Sequence, residues 1–101
     1  MGFTKICKLD EVPLGTAKVV QLIGREISVW NVRGQIYAID NICTHDEEAL
    51  DQGELIGCEV ECPRHGARFD VRSGQVTEGP AVSPVDKFSV RVLGEDIEID
   101  F

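Results

Sequence analysis

At 101 residues, 43% of them apolar, the chain has room for one domain and enough apolar side chains to form its core. The formal charge of −8, from 18 acidic and 10 basic residues, argues against nucleic-acid binding, which needs a positive face. No run of about 20 apolar residues is present to span a membrane. The start, Met1-Gly2-Phe3-Thr4-Lys5-Ile6, has neither signal-peptide character nor the hydroxyl residue of a myristoylation signal, so a cytoplasmic location is expected.

Read in chain order, the pattern has mostly a period of two. Residues 3–8 predict a first strand. Asp10-Glu11-Val12-Pro13-Leu14-Gly15 is a turn-rich break with room for one helical turn. Thr16 to Ile23 and Glu26 to Val32 read as strands around Gly24-Arg25, and Ile36 to Asp40 returns after a tight connection at Arg33-Gly34-Gln35. Residues 41–51 are polar. Glu54 to Ile56 and Glu59 to Cys62 predict a short hairpin about Gly57, and Arg68 to Val71 and Gln75 to Thr77 another about Arg72-Ser73-Gly74. Gly79-Pro80-Ala81 opens a further loop. Phe88 to Leu93 and Asp96 to Asp100 close the chain as a hairpin about Gly94-Glu95. Short, regular strands punctuated by ten glycines indicate an all-β antiparallel sandwich or barrel. Trp30 and Tyr37 alternate with apolar residues, as packing residues do.

The chemistry is concentrated in two segments, Cys43-Thr44-His45 and Cys62-Pro63-Arg64-His65. They hold both histidines of the chain and two of its four cysteines, with sixteen residues between the halves. Two thiolates and two imidazoles so placed can hold a metal centre. A structural Cys2His2 zinc site is the main competing reading. The predictive zinc patterns begin with C-x2-4-C or end with H-x3-5-H, and this one does neither. A Cys–His nucleophile pair would need an orienting group and gives no reason for the duplication. Of the other cysteines, Cys7 on the first strand reads as a buried thiol. Cys58, four residues before Cys62, could compete as a ligand but is expected to be structural, and a bridge between the two is not expected in a reducing compartment.

The pattern C-x-H…C-x-x-H, with Pro63 after the second cysteine and Gly66 after the second histidine, resembles the Rieske [2Fe-2S] proteins over essentially the whole chain. The resemblance implies one domain over residues 1–101. A small cluster-binding subdomain, about residues 41–80, would be inserted into a β base of residues 1–40 and 81–101. It also implies one [2Fe-2S] cluster, with Cys43 and Cys62 on an inner iron and His45 and His65 on an outer, more exposed one, and Gly79-Pro80 beside it.

High-potential members of the family carry two further cysteines that bridge the ligand loops; here those positions are Glu48 and Arg64. The same members have a serine and a tyrosine that donate hydrogen bonds to the cluster sulfurs, where this chain has Ala67 and Phe69, which cannot donate. Fewer donors mean less stabilisation of an added electron, and the acidic stretch Asp46-Glu47-Glu48, with Asp51 and Glu54, lowers the potential slightly more. The pattern therefore resembles the low-potential ferredoxins of bacterial aromatic-ring-hydroxylating dioxygenase systems. That resemblance implies a monomeric electron carrier, not itself an enzyme. Its partners would be a flavin-containing NAD(P)H-oxidising reductase and a terminal oxygenase of aromatic hydrocarbon catabolism. The acidic surface suits steering toward a basic partner. The alternatives are the small Rieske subunit of a nitrite reductase or related oxidoreductase, and a zinc-binding interaction module. No histidine remains for the mononuclear iron of an oxygenase proper. Glu48 and Arg64 either pair as ions across the two loops, or Arg64 serves partner docking.

Overall fold

A computed structural model of the chain describes residues 2–45 and 47–101. Its strands are β1 (Phe3–Lys8), β2 (Ala17–Leu22), β3 (Arg25–Val32), β4 (Gln35–Asp40), β5 (Glu54–Ile56), β6 (Glu59–Glu61), β7 (Arg68–Asp70), β8 (Val76–Glu78), β9 (Lys87–Phe88), β10 (Val90–Leu93) and β11 (Asp96–Asp100). Single 3-10 turns lie at Leu9–Glu11 and Leu50–Gln52. The strands form three antiparallel sheets, in the orders β1-β11-β10, β2-β3-β4-β9 and β5-β6-β7-β8. Residues 54–78 make the third sheet by themselves, and among the described residues no helix is long and apolar enough to cross a membrane.

The middle sheet is buried on both faces, which explains why β3 is enclosed from Ile27 to Val32 rather than alternating in and out. Ile27, Val29 and Ala38 pack toward the first sheet, against Cys7, Ile97 and Ile99. Trp30, Val32 and Ile39 pack on the other side, in the cluster that also holds Leu50, Val60, Phe69, Cys43 and Cys62. The candidate thiols are therefore set into the main core. Trp30 is a packing residue, as expected. Its Nε1 donates to Ser28 Oγ at 2.8 Å, and that hydroxyl donates to the Ile39 carbonyl at 3.3 Å, so no indole proton is orphaned.

The structure corrects the sequence reading at three places. The closing strand expected over Phe88 to Leu93 is two strands: Lys87–Phe88 pairs with β4 in the middle sheet, and Val90–Leu93 pairs with β11 in the first. The chain changes sheet at Ser89, as strands do at the corners of packed sheets. The β2–β3 turn is Ile23-Gly24 rather than Gly24-Arg25, with φ of 48° and 74°. A two-residue turn with both residues left-handed matches the twist of the flanking strands, although isoleucine is poorly suited to that backbone. The β3–β4 turn is Arg33-Gly34, leaving Gln35 in the strand. In β1, Lys5 faces Glu98 and Cys7 faces Ile97, so Ile6 is an extra residue, a bulge that turns Cys7 into the core.

Candidate metal centre

Both ligand segments are built on one backbone design. In the first loop the Cys43 amide donates to the Glu48 carbonyl at 2.8 Å, and the Glu47 amide donates to the Cys43 carbonyl at 2.8 Å. In the second the Cys62 amide donates to the Ala67 carbonyl at 2.7 Å, and the Gly66 amide to the Cys62 carbonyl at 3.1 Å. Each loop thus closes with the same two bonds, from the cysteine to the fifth residue on and from the fourth residue back. Each needs a left-handed residue at the fourth position, Glu47 (φ 65°) and Gly66 (φ 79°). The glycine is legible in the sequence as the Gly after His65. The glutamate carries no such signal, so the equivalence of the loops emerges only from the structure.

The two loops leave β4 and β6 with their cysteines inward and their histidines outward. Cys43 and Cys62 are 0% and 1% exposed, and His45 and His65 are exposed. The two imidazoles stand edge to face, 5.2 Å between ring centroids at 81°. Two imidazoles sharing one metal, with metal–nitrogen bonds of about 2.1 Å and a near-tetrahedral angle, would have their centroids about 5 Å apart. Two buried thiols and two exposed imidazoles on neighbouring loops are the donor set that a metal centre needs. Asp46, within the acidic stretch, lies outside the described residues.

Three anchors fix the loops. Asn41, almost fully buried, accepts from the Asp51 amide through Oδ1 at 2.8 Å and donates through Nδ2 to Asp51 Oδ1 at 2.8 Å, while its own amide donates to the Glu26 carbonyl at 2.9 Å. Thr44 Oγ1 donates to the Ser83 carbonyl at 2.7 Å and ties the first ligand loop to the loop that follows Gly79-Pro80. Ala81 of that third loop packs in the same core cluster as Cys43 and Cys62. Gly74 seats the loop from the other side: its carbonyl accepts from the Val85 amide at 2.9 Å, and a Cβ there would overlap the Val85 carbonyl. Sequence reading singled out neither Asn41 nor the partner of Thr44.

Glu48 and Arg64 meet, with Nη1 to Oε1 at 3.3 Å across the two loops, and both side chains remain substantially exposed. Ala67 and Phe69 are fully buried beside the thiols and offer no hydroxyl. Cys7 and Cys58 are unbridged. Burial, and secondarily the nearby Glu11, pushes the Cys7 thiol above its ordinary pKa, so it is kept protonated. Cys58 sits half-buried in the β5–β6 turn, packs against the main core and accepts the Val71 amide through its carbonyl at 2.9 Å.

The model of the Rieske [2Fe-2S] domain family matches residues 2–89. The chain belongs to the Rieske [2Fe-2S] family. It is 38% identical to the biphenyl dioxygenase ferredoxin subunit of Pseudomonas sp. (strain KKS102), over all of this chain and 94% of that protein. It superposes with a TM-score of 0.92 on the ferredoxin of carbazole 1,9a-dioxygenase from Nocardioides aromaticivorans, at 36% identity over 98% of this chain and 97% of that one. A ferredoxin solved in complex with the reduced oxygenase of a carbazole 1,9a-dioxygenase superposes at 0.90, with 32% identity over 96% of this chain and 91% of that chain.

Proposed function

We propose that this Rieske protein is the ferredoxin component of an aromatic-ring-hydroxylating dioxygenase system. It would carry single electrons from a flavin-containing NAD(P)H-dependent reductase to the terminal oxygenase, in the cytoplasm and as a monomer. Cys43 and Cys62 would hold one iron of a [2Fe-2S] cluster and His45 and His65 the other. The unit of about residues 41–80 would serve as the cluster-binding subdomain. The observation that carries this reading is the division of the four side chains, thiols sealed in the core and imidazoles at the surface, together with ferredoxin relatives of these systems along the whole chain.

When bound, the cluster supplies a one-electron couple. The chain's own residues supply the rest. The buried cysteines sit on loops closed by paired backbone bonds, so their geometry is held fixed during transfer. The exposed histidines give a partner close approach without an opening motion. Ala67 and Phe69 withhold sulfur-directed hydroxyl donors and keep the potential low.

The test is direct. The purified protein should contain two irons and two acid-labile sulfides per chain, absorb in the visible, bleach on dithionite reduction, and restore NADH-dependent oxygenase turnover when added to reductase and oxygenase. A colourless protein with one zinc per chain, or a bleaching protein that restores no turnover, would contradict the reading.

A further inference from the structure

Beside the first ligand loop lies an open concavity of about 350 Å³, lined by Gly24, Arg25, Glu26 and Asp40 from the middle sheet and by Ile42 and Glu47 from the ligand loop. Its charge is one-sided. Among the described lining residues Arg25 is the single cation, and it is committed: its Nη2 lies 3.2 Å from Asp40 and 2.8 Å from Asp86, and its guanidinium covers the Phe88 ring. The carboxylates of Glu26, Asp40 and Glu47 therefore leave the concavity net negative.

One lining residue and one residue next to the lining in the chain are apolar and exposed. Ile42 is partly exposed, and Ile23, the residue before Gly24, is 83% exposed. Ile23 is also left-handed at φ 48°, in a turn whose backbone suits Asn-Gly or Asp-Gly. It belongs to none of the core clusters. The core clusters therefore do not account for a β-branched apolar side chain at this position.

We infer that this surface docks the terminal oxygenase, receiving a segment that presents a lysine or arginine beside an apolar side chain. Ile23 and Ile42 supply the apolar contact, and Glu26 and Glu47 meet the cation. The inference rests on the electron-carrier reading above. The oxygenase is favoured as occupant because the concavity is continuous with the loop of His45, and a relative of similar fold is solved bound to its oxygenase. Ile23 is then a residue that sets partner recognition without touching the cluster.

The test uses the holoprotein with the oxygenase and reductase of the host's own dioxygenase system. Ile23→Asn suits the turn better than isoleucine, so this variant should melt no lower than wild type and keep its spectrum and potential. The ferredoxin concentration giving half-maximal oxygenase turnover should nevertheless rise roughly five- to tenfold, the size of one apolar interface contact. Ile23→Leu should stay near wild type, and Ile23→Lys should be worse than Ile23→Asn because it places a cation against a cation. Reduction by the reductase should change less than twofold in all three. Variants indistinguishable from wild type in oxygenase turnover would overturn the inference, as would Ile23→Lys matching or surpassing Ile23→Asn. A defect confined to the reductase step would overturn the choice of occupant. Wild-type protein that carries no electrons between these partners would remove the electron-carrier reading, and the inference with it.

Discussion

At the scale of single residues, the potential is set by what surrounds the sulfurs. Ala67 and Phe69 are buried in the cluster of side chains that holds Cys43 and Cys62, so a hydroxyl introduced at either position lies in a low-dielectric setting where a hydrogen bond is strong. We predict a wild-type midpoint near the low end of the Rieske range, around −150 mV. Phe69→Tyr and Ala67→Ser should each shift it upward in protein-film voltammetry. A positive wild-type potential at neutral pH would mean that other donors dominate. Glu48 and Arg64 stand where high-potential relatives have a disulfide, and the structure pairs them at 3.3 Å. An exposed pair contributes only about 0–1 kcal/mol, against the ~2–4 kcal/mol typical of a disulfide. In a double-mutant cycle of Glu48→Gln and Arg64→Gln, the rate of cluster loss should show a small non-additive term that disappears in high salt. Additive effects, with oxygenase or reductase turnover impaired by Arg64→Gln alone, would instead assign Arg64 to docking.

At the scale of elements, turns and hairpins do most of the positioning. Asp70 organises the β7–β8 turn: its carboxylate accepts from the Arg72 amide at 2.8 Å and from the Arg72 guanidinium at 3.0 and 2.8 Å, and its carbonyl accepts from Gly74. The Arg72 side chain, acting against partial burial, lowers the Asp70 pKa below the usual carboxylate range. A carboxylate depressed in the folded state contributes stability that is fully present above its unfolded pKa and is lost as pH falls through the folded one. Asp70→Ala should therefore cost about 1.5–3 kcal/mol in denaturant unfolding at pH 7, and the gap from wild type should narrow below about pH 4. A gap independent of pH would show that turn packing, not the charge, is what Asp70 supplies. The hairpins about Gly57, Arg72-Ser73-Gly74 and Gly94-Glu95 were legible in the sequence because each pairs glycine with short alternating runs. The Ile23-Gly24 turn and the sheet change at Ser89 were not. Isoleucine reads locally as a strand former, and a strand that changes partner keeps its alternation while its hydrogen bonds move.

At the scale of the molecule, the three sheets set the middle one as a wall between two cores, and the candidate centre lies on one side of it. The all-β class was legible from strand period and glycine spacing. The identity of the four candidate side chains was legible because both histidines of the chain fall in matching positions. The layering was not, since β3 is buried on both faces and its apolar run alone does not say what covers each side. The equivalence of the two ligand loops was hidden as well, because Glu47 adopts a left-handed backbone that glutamate does not advertise. We propose that His45 and His65 hold one metal of the cluster, and pulsed electron paramagnetic resonance of the dithionite-reduced protein, with ring-nitrogen-15 histidine, probes those bonds. Couplings from two imidazole nitrogens are expected in the wild type, reduced to one or lost with the cluster in His65→Cys. A reduced wild-type cluster without strongly coupled histidine nitrogen, spectroscopically like an all-cysteine ferredoxin, would contradict it.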